Sequence, residues 1–139
     1  SRMFGLAEPL RAAVASGLPV YGTCAGLIML SNTVLDSISG QESIGGLDIV
    51  VRRNAFGSQL DSFETDLDIP VLGETPMHAV FIRAPVVESV APGVTVLAAL
   101  GDGRVVAVEQ GSLLGTSFHP EMTGDTRFHE YFLDKVRAA

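Results

Sequence analysis

The chain has 139 residues, 47% of them hydrophobic and 18% charged. That is enough to bury one core and too little for two domains of ordinary size, so a single unit over 1–139 is expected. The formal charge of −7, with no basic tract beyond Arg52-Arg53, argues against nucleic-acid partners. No apolar run approaches the roughly 18 residues of a membrane span.

The opening residues Ser1-Arg2-Met3-Phe4-Gly5 lack the features of a secretory signal. A single cysteine, Cys24, cannot close an internal disulfide, so the thiol is free to react and a cytoplasmic setting is expected.

In chain order, residues 4–16 place Phe4, Leu6, Leu10, Ala13 and Val14 at largely helical spacing, and Gly17 is a plausible stop. Residues 18–22 read as a short buried strand. Gly22-Thr-Cys-Ala-Gly26 is then a sharp turn, and Leu27 to Leu30 open a second helix. The stretch 36–46, rich in Ser and Gly, reads as a surface loop.

Strands are expected at 47–51, 79–82, 94–100, 105–108 and 113–118, all β-branched or apolar runs between turn residues. Gly101-Asp-Gly-Arg104 is a hairpin turn, so the strands around it should be antiparallel. A closing helix over 125–136 begins at an Asp cap and carries Phe128, Phe132 and Val136 on one stripe. The mixture predicts an α/β sheet with an antiparallel extension. No strand precedes the first helix to pair beside the strand before Cys24, and a missing N-terminal piece is inferred.

Small residues on both sides of Cys24 allow a strained elbow that exposes a nucleophile. The amides and positive dipole end of the following helix are expected to lower the thiol pKa, and the Ala25 amide would face a developing oxyanion. A lone cysteine filling a core gap is the plain alternative. In Thr116-Ser-Phe-His-Pro-Glu121 an apolar strand ends in a His and a Glu either side of one proline. His119 could take the thiol proton and Glu121 could hold the ring in the right tautomer. By itself that pair also describes an exposed strand end. Its force comes from co-occurrence with Cys24 in a chain with one Cys and three His.

The elbow GTCAG, the segment RRNAFGSQLDSFE, the strand end FIRAP and the block FHPEM resemble the triad-type glutamine amidotransferases. Within that class they resemble the glutaminase subunits of pyridoxal 5'-phosphate synthase. The resemblance runs from about Phe4 to the C-terminus with four motifs in order. It implies a three-layer Rossmann-like sheet with helices on both faces and an antiparallel extension, here without its first strand-helix unit. It implies hydrolysis of L-glutamine to glutamate and ammonia, with the ammonia passed to a synthase subunit that assembles pyridoxal phosphate. No metal or other cofactor is expected.

Carried over by position, the resemblance makes Cys24 the nucleophile, His119 the base and Glu121 its orienting carboxylate. Arg53, Ile82 and Arg83 become contacts to glutamine, an arginine suiting the α-carboxylate by its planar pair of donors. On their own, Arg53 reads as a solvated charge and Arg83 as a surface ion pair. His78 and His129 match no motif and read as surface or helix-face residues.

Two departures stand out. Members carry an upstream Gly-Gly-Glu-Ser loop that supplies an oxyanion amide, and many have Arg where Ser58 stands. Two other readings stay open: a cysteine hydrolase acting on γ-glutamyl substrates, and a binding subunit without turnover.

Overall fold

The structure, a computed structural model, describes residues 4–35, 44–52 and 62–138, with the side chains of 4–7 and of residue 86 left aside. The chain runs α1 (Phe4–Ala15), β1 (Val20–Thr23), α2 (Ala25–Leu30), β2 (Ser31–Leu35), β3 (Leu47–Arg52), β4 (Ser62–Leu67), β5 (Met77–Ile82), β6 (Val86–Val90), β7 (Thr95–Ala99), β8 (Val105–Gln110), β9 (Leu113–Thr116) and α3 (Arg127–Ala138). Short 3₁₀ turns lie at Pro70–Leu72 and Pro120–Met122.

Seven strands form a mixed sheet in the order β1-β9-β8-β6-β3-β2, with β7 pairing β8 off this path. The β1–β9 and β2–β3 pairs are parallel. The remaining pairs of this sheet are antiparallel. β4 and β5 make a separate two-stranded antiparallel ribbon. The expected α/β class with an antiparallel extension therefore holds.

Two apolar clusters cover the sheet. One gathers Leu27 and Leu30 of α2 with Leu47, Ile49, Val51, Val87, Val108 and Leu113, and Val14 of α1 packs on it. The other joins Leu114 and Val106 to Met77 and Phe81 of the ribbon, Phe118 and Phe128 of α3. Consecutive residues Leu113 and Leu114 fall in different clusters because side chains alternate along a strand. Every residue of β9 is buried, as a strand covered on both faces must be. α2 sits tightly on this strand, since a Cβ at Gly115 would lie 2.5 Å from Leu27 Cδ1.

Most local expectations are met with trimmed ends. α1 closes at Gly17 (φ 99°), where the amides of Gly17 and Leu18 donate to the carbonyls of Val14 and Ala13. This paired pattern satisfies carbonyls that the helix leaves open. The turn at 101–104 joins antiparallel β7 and β8, with Leu100 N donating to Arg104 O at 2.8 Å.

α3 begins two residues later than expected, at Arg127, whose amide donates to the Asp125 carboxylate at 3.0 Å. Its stripe stops short: Phe128 is fully buried, but Val136 is 44% exposed because the helix outruns the sheet. β2, β4 and β6 were not expected. Of the loop expected at 36–46, residues 36–43 lie outside the described residues.

An aromatic row links the layers. Phe63 stacks on Phe81 at 4.5 Å, Phe81 meets Phe118 at 5.6 Å, Phe118 meets Phe128 at 5.9 Å, and Phe128 stacks on Tyr21 at 5.7 Å. Phe118 is its middle member and is fully buried. Phe118→Ala should therefore cost about 3–5 kcal/mol, as truncation of a buried Phe usually does. Urea unfolding measures this, and a loss below about 1 kcal/mol would show that the row does not carry the core.

Candidate active site

Parallel pairing of β1 with β9 puts Thr23 opposite Thr116, so the elbow after one strand and the turn after the other emerge side by side. The Cys24 amide donates to the Thr116 carbonyl at 2.8 Å, which locks the elbow onto β9. Cys24 has φ 49° and ψ −103°, a conformation that costs a non-glycine residue on the order of 1–3 kcal/mol. Gly22 makes this possible, because a Cβ there would lie 2.6 Å from the backbone of Gly26. Space alone does not require glycine at position 26, where a Cβ would meet nothing within 4 Å.

The three residues singled out for chemistry come together. Cys24 Sγ is 3.1 Å from His119 Nε2, and His119 Nδ1 is 2.8 Å from Glu121 Oε2. The thiol also donates to the Ser117 carbonyl at 3.1 Å. Pro120 is buried and opens the 3₁₀ turn that carries Glu121 back under the ring. Ala25 is the first residue of α2, so its amide belongs to the first turn that no intrahelical carbonyl can reach.

Electrostatics correct one expectation. Burial first, and the Glu121 charge second, push the Cys24 thiol up to about 11, rather than down. α2 has only six residues, and the partial charge at its N-terminus does not offset desolvation plus a nearby carboxylate. Burial by itself would raise the Glu121 carboxyl too. Its own backbone amide, the His119 hydrogen bond and the charges of His119 and His129 prevail and hold it below the usual range. The thiol thus rests neutral, with an ionised carboxylate on the far side of the His119 ring.

Ile82 ends β5 at 40% exposure. Arg83 follows in a bend with φ 44°. Cys24 and Arg83 are the two non-glycine residues with positive φ among the described residues, and backbone strain of this kind gathers at functional sites. The His119 amide donates to the Val80 carbonyl at 2.9 Å, which fastens the ribbon bearing Ile82 and Arg83 to the turn bearing His119. Val80 and Ile82 line an open hollow of about 460 Å³ with Ser62, Phe63 and Glu64. Arg53 lies outside the described residues, as does Ser58.

His78 stands apart from the site on the outer ribbon face. Its nitrogens lie 2.6 Å from Glu64 and 2.8 Å from Asp66, and these hydrogen bonds raise its pKa. His129 lies on α3, a helix-face position as expected. It is partly buried, with its ring edge-on to Tyr21 at 5.7 Å. Tyr21 lies inside an apolar run and carries no motif signal, although it sits directly below this region.

A model of the family described as "SNO glutamine amidotransferase family" matches residues 1–138. The chain belongs to the SNO glutamine amidotransferase family.

Among its SNO-family relatives is a protein of Leifsonia xyli subsp. xyli called pyridoxal 5'-phosphate synthase subunit PdxT. It is 72% identical over 136 residues, covering 98% of this chain and 69% of the relative. A protein of the same name from Clavibacter sepedonicus is 70% identical over 139 residues, covering 100% of this chain and 66% of the relative. The chain thus spans about two thirds of the length of these curated relatives. A solved structure described as a glutamine amidotransferase superposes with a TM-score of 0.88 at 45% identity, covering 98% of this chain and 70% of that one.

The position of Glu121 gives a test. Because its charge helps to raise the Cys24 thiol, Glu121→Gln should bring the midpoint of the pH dependence of iodoacetamide alkylation below about 11. Rates of Cys24 alkylation across alkaline pH measure it, and an unmoved midpoint would assign the whole rise to burial.

Proposed function

We propose that this chain is the catalytic part of a glutaminase that supplies ammonia to the synthase subunit of pyridoxal 5'-phosphate synthase. The observation that carries the reading is the hydrogen-bonded row from Cys24 Sγ through His119 to Glu121, with links of 3.1 and 2.8 Å, in a chain of the SNO family. The residues 1–139 act in this reading as one amidotransferase unit. A cytoplasmic setting suits its free thiol, and among the described residues no helix is long and apolar enough to cross a membrane.

The chemistry follows from the order of the groups. Glutamine enters with its α-carboxylate toward Arg53 and Arg83 and its stem beside Ile82, where a planar guanidinium can take a carboxylate with two donors. His119 Nε2 accepts the thiol proton as Cys24 Sγ attacks the side-chain amide carbon, so the thiolate forms during attack from a thiol that rests neutral. Glu121 holds Nδ1–H and balances the imidazolium.

The tetrahedral oxyanion takes a hydrogen bond from the Ala25 amide. A further donor is expected from the Gly-Gly-Glu-Ser loop that the family carries upstream. The C–N bond then breaks, and nitrogen leaves as ammonia with the proton returned by His119. Water, deprotonated by the same ring, hydrolyses the glutamyl thioester to glutamate and frees the thiol.

Assayed as the full-length protein with its synthase partner, Cys24→Ala and His119→Asn should each lower glutamate release by roughly 10⁴-fold or more, the scale seen when one member of a triad is removed. Turnover of free glutamine unchanged in Cys24→Ala would sink the reading. Activity on γ-glutamyl conjugates without ammonia release from glutamine would replace it with a different hydrolase.

A further inference from the structure

One buried polar atom is unexplained by the site as described. Among the described residues, the Tyr21 hydroxyl is the one buried side-chain nitrogen or oxygen that makes no hydrogen bond. Such an atom normally finds a partner, since leaving it without one costs free energy. Tyr21 is held firmly. Its ring stacks on Phe128 at 5.7 Å, meets Phe132 at 5.4 Å, and takes the edge of His129 at 5.7 Å.

It stands on β1 two residues before Thr23, whose register partner is Thr116. The Thr116 hydroxyl approaches the phenol without reaching hydrogen-bond geometry and donates instead to the Phe118 carbonyl at 2.9 Å. The nearby charge is Glu121. Burial first and then that carboxylate push the phenol well above its ordinary range, so it remains a donor.

Glu121 is the group that would use such a donor. Its Oε2 faces His119, and its side chain is 49% exposed, so solvent and not protein supports much of the carboxylate. The titratable groups coupled to it are His119 on its own turn, His129 on α3, Tyr21 on β1 and Cys24 at the elbow. The bond inferred below requires the carboxylate to turn toward the phenol once His119 is an imidazolium.

We propose that Tyr21 is a positioning residue of the triad, its hydroxyl donating to the Glu121 carboxylate while His119 carries the thiol proton. The proposal rests on the glutaminase reading. A phenol in this place makes the bond only in the charged state, so it acts on the transition state more than on the resting enzyme.

Tyr21→Phe keeps the ring and removes the hydroxyl, and structural and positioning roles then predict different results. In the full-length protein assembled with its synthase subunit, kcat for glutamine should fall about three- to tenfold, the worth of one hydrogen bond, with KM unchanged. The acid limb of the kcat/KM profile should move to lower pH, because a bond made only while His119 is an imidazolium favours that protonated state, and its loss releases the proton more readily. The Tm should be unchanged or higher, since an unpaired hydroxyl has been removed.

Phe128→Leu is the packing control: it should lower Tm and leave the acid limb in place. An unchanged kcat and acid limb in Tyr21→Phe would overturn the proposal, as would a kcat loss in that variant accompanied by a fall in Tm and no movement of the limb. Absence of any Cys24-dependent turnover in the wild type would overturn the glutaminase reading along with it, which separates the two failures.

Discussion

The parallel register of β1 and β9 is the constraint on which the site depends. Cys24 and His119 are 95 positions apart, and nothing local brings them together. The pairing of Val20 with Leu113 through Thr23 with Thr116 does. In a parallel pair both chains leave the sheet at the same end, so an elbow after one strand and a 3₁₀ turn after the other must face each other. The amide of Cys24 on the carbonyl of Thr116 then fixes their separation at hydrogen-bond scale. A slip of one residue would send Thr116 to the opposite face and separate the thiol from the ring.

That geometry carries an electrostatic consequence. Burying the thiol against β9 and placing a carboxylate behind the imidazole both disfavour a resting thiolate. In the proposed reaction the same carboxylate favours the imidazolium that forms when the thiol gives up its proton. Glu121 therefore opposes thiolate formation taken alone and supports proton transfer taken as a pair. With that elevation the sulfur rests as a neutral thiol, a poor target for oxidants that react with thiolates.

Much of this was legible in the sequence because the chemistry sits at the ends of simple elements. The elbow was readable from small residues around Cys24, and the turn that faces it from a His and a Glu closing an apolar run. Helix α1 announced its end at Gly17, and the β7–β8 turn announced itself by Gly101-Asp-Gly.

Three strands were not legible, for different physical reasons. β2 begins at Ser31, whose hydroxyl still bonds back to the Leu27 carbonyl of the helix before it, so helix and strand share a boundary with no punctuation. β4 alternates properly, but Thr65 stands between Phe63 and Leu67 on the inward side and dilutes the apolar signal. β6 reads Val86-Val-Glu-Ser-Val90, where Glu88 and Ser89 interrupt the valines and leave an apolar run too short to signal a strand. The thiol's elevation was illegible for a deeper reason, since burial belongs to the tertiary structure and the helix dipole was the only term visible locally.

The ribbon β4–β5 is tied to the turn that carries His119. It is not hydrogen-bonded into the main sheet, yet its core side is anchored through Phe81, which lies between Phe63 and Phe118. Its outer strand end is held by one backbone bond, from the His119 amide to the Val80 carbonyl. That bond comes from the residue that would move the proton and ends two residues before Ile82 and three before Arg83. The bend at Arg83 and the 3₁₀ turn are thus linked through this bond. In the proposed reaction a substrate held by the ribbon and a ring held by the turn would share one frame, which is what holding an amide carbon within about 3–3.5 Å of a sulfur requires.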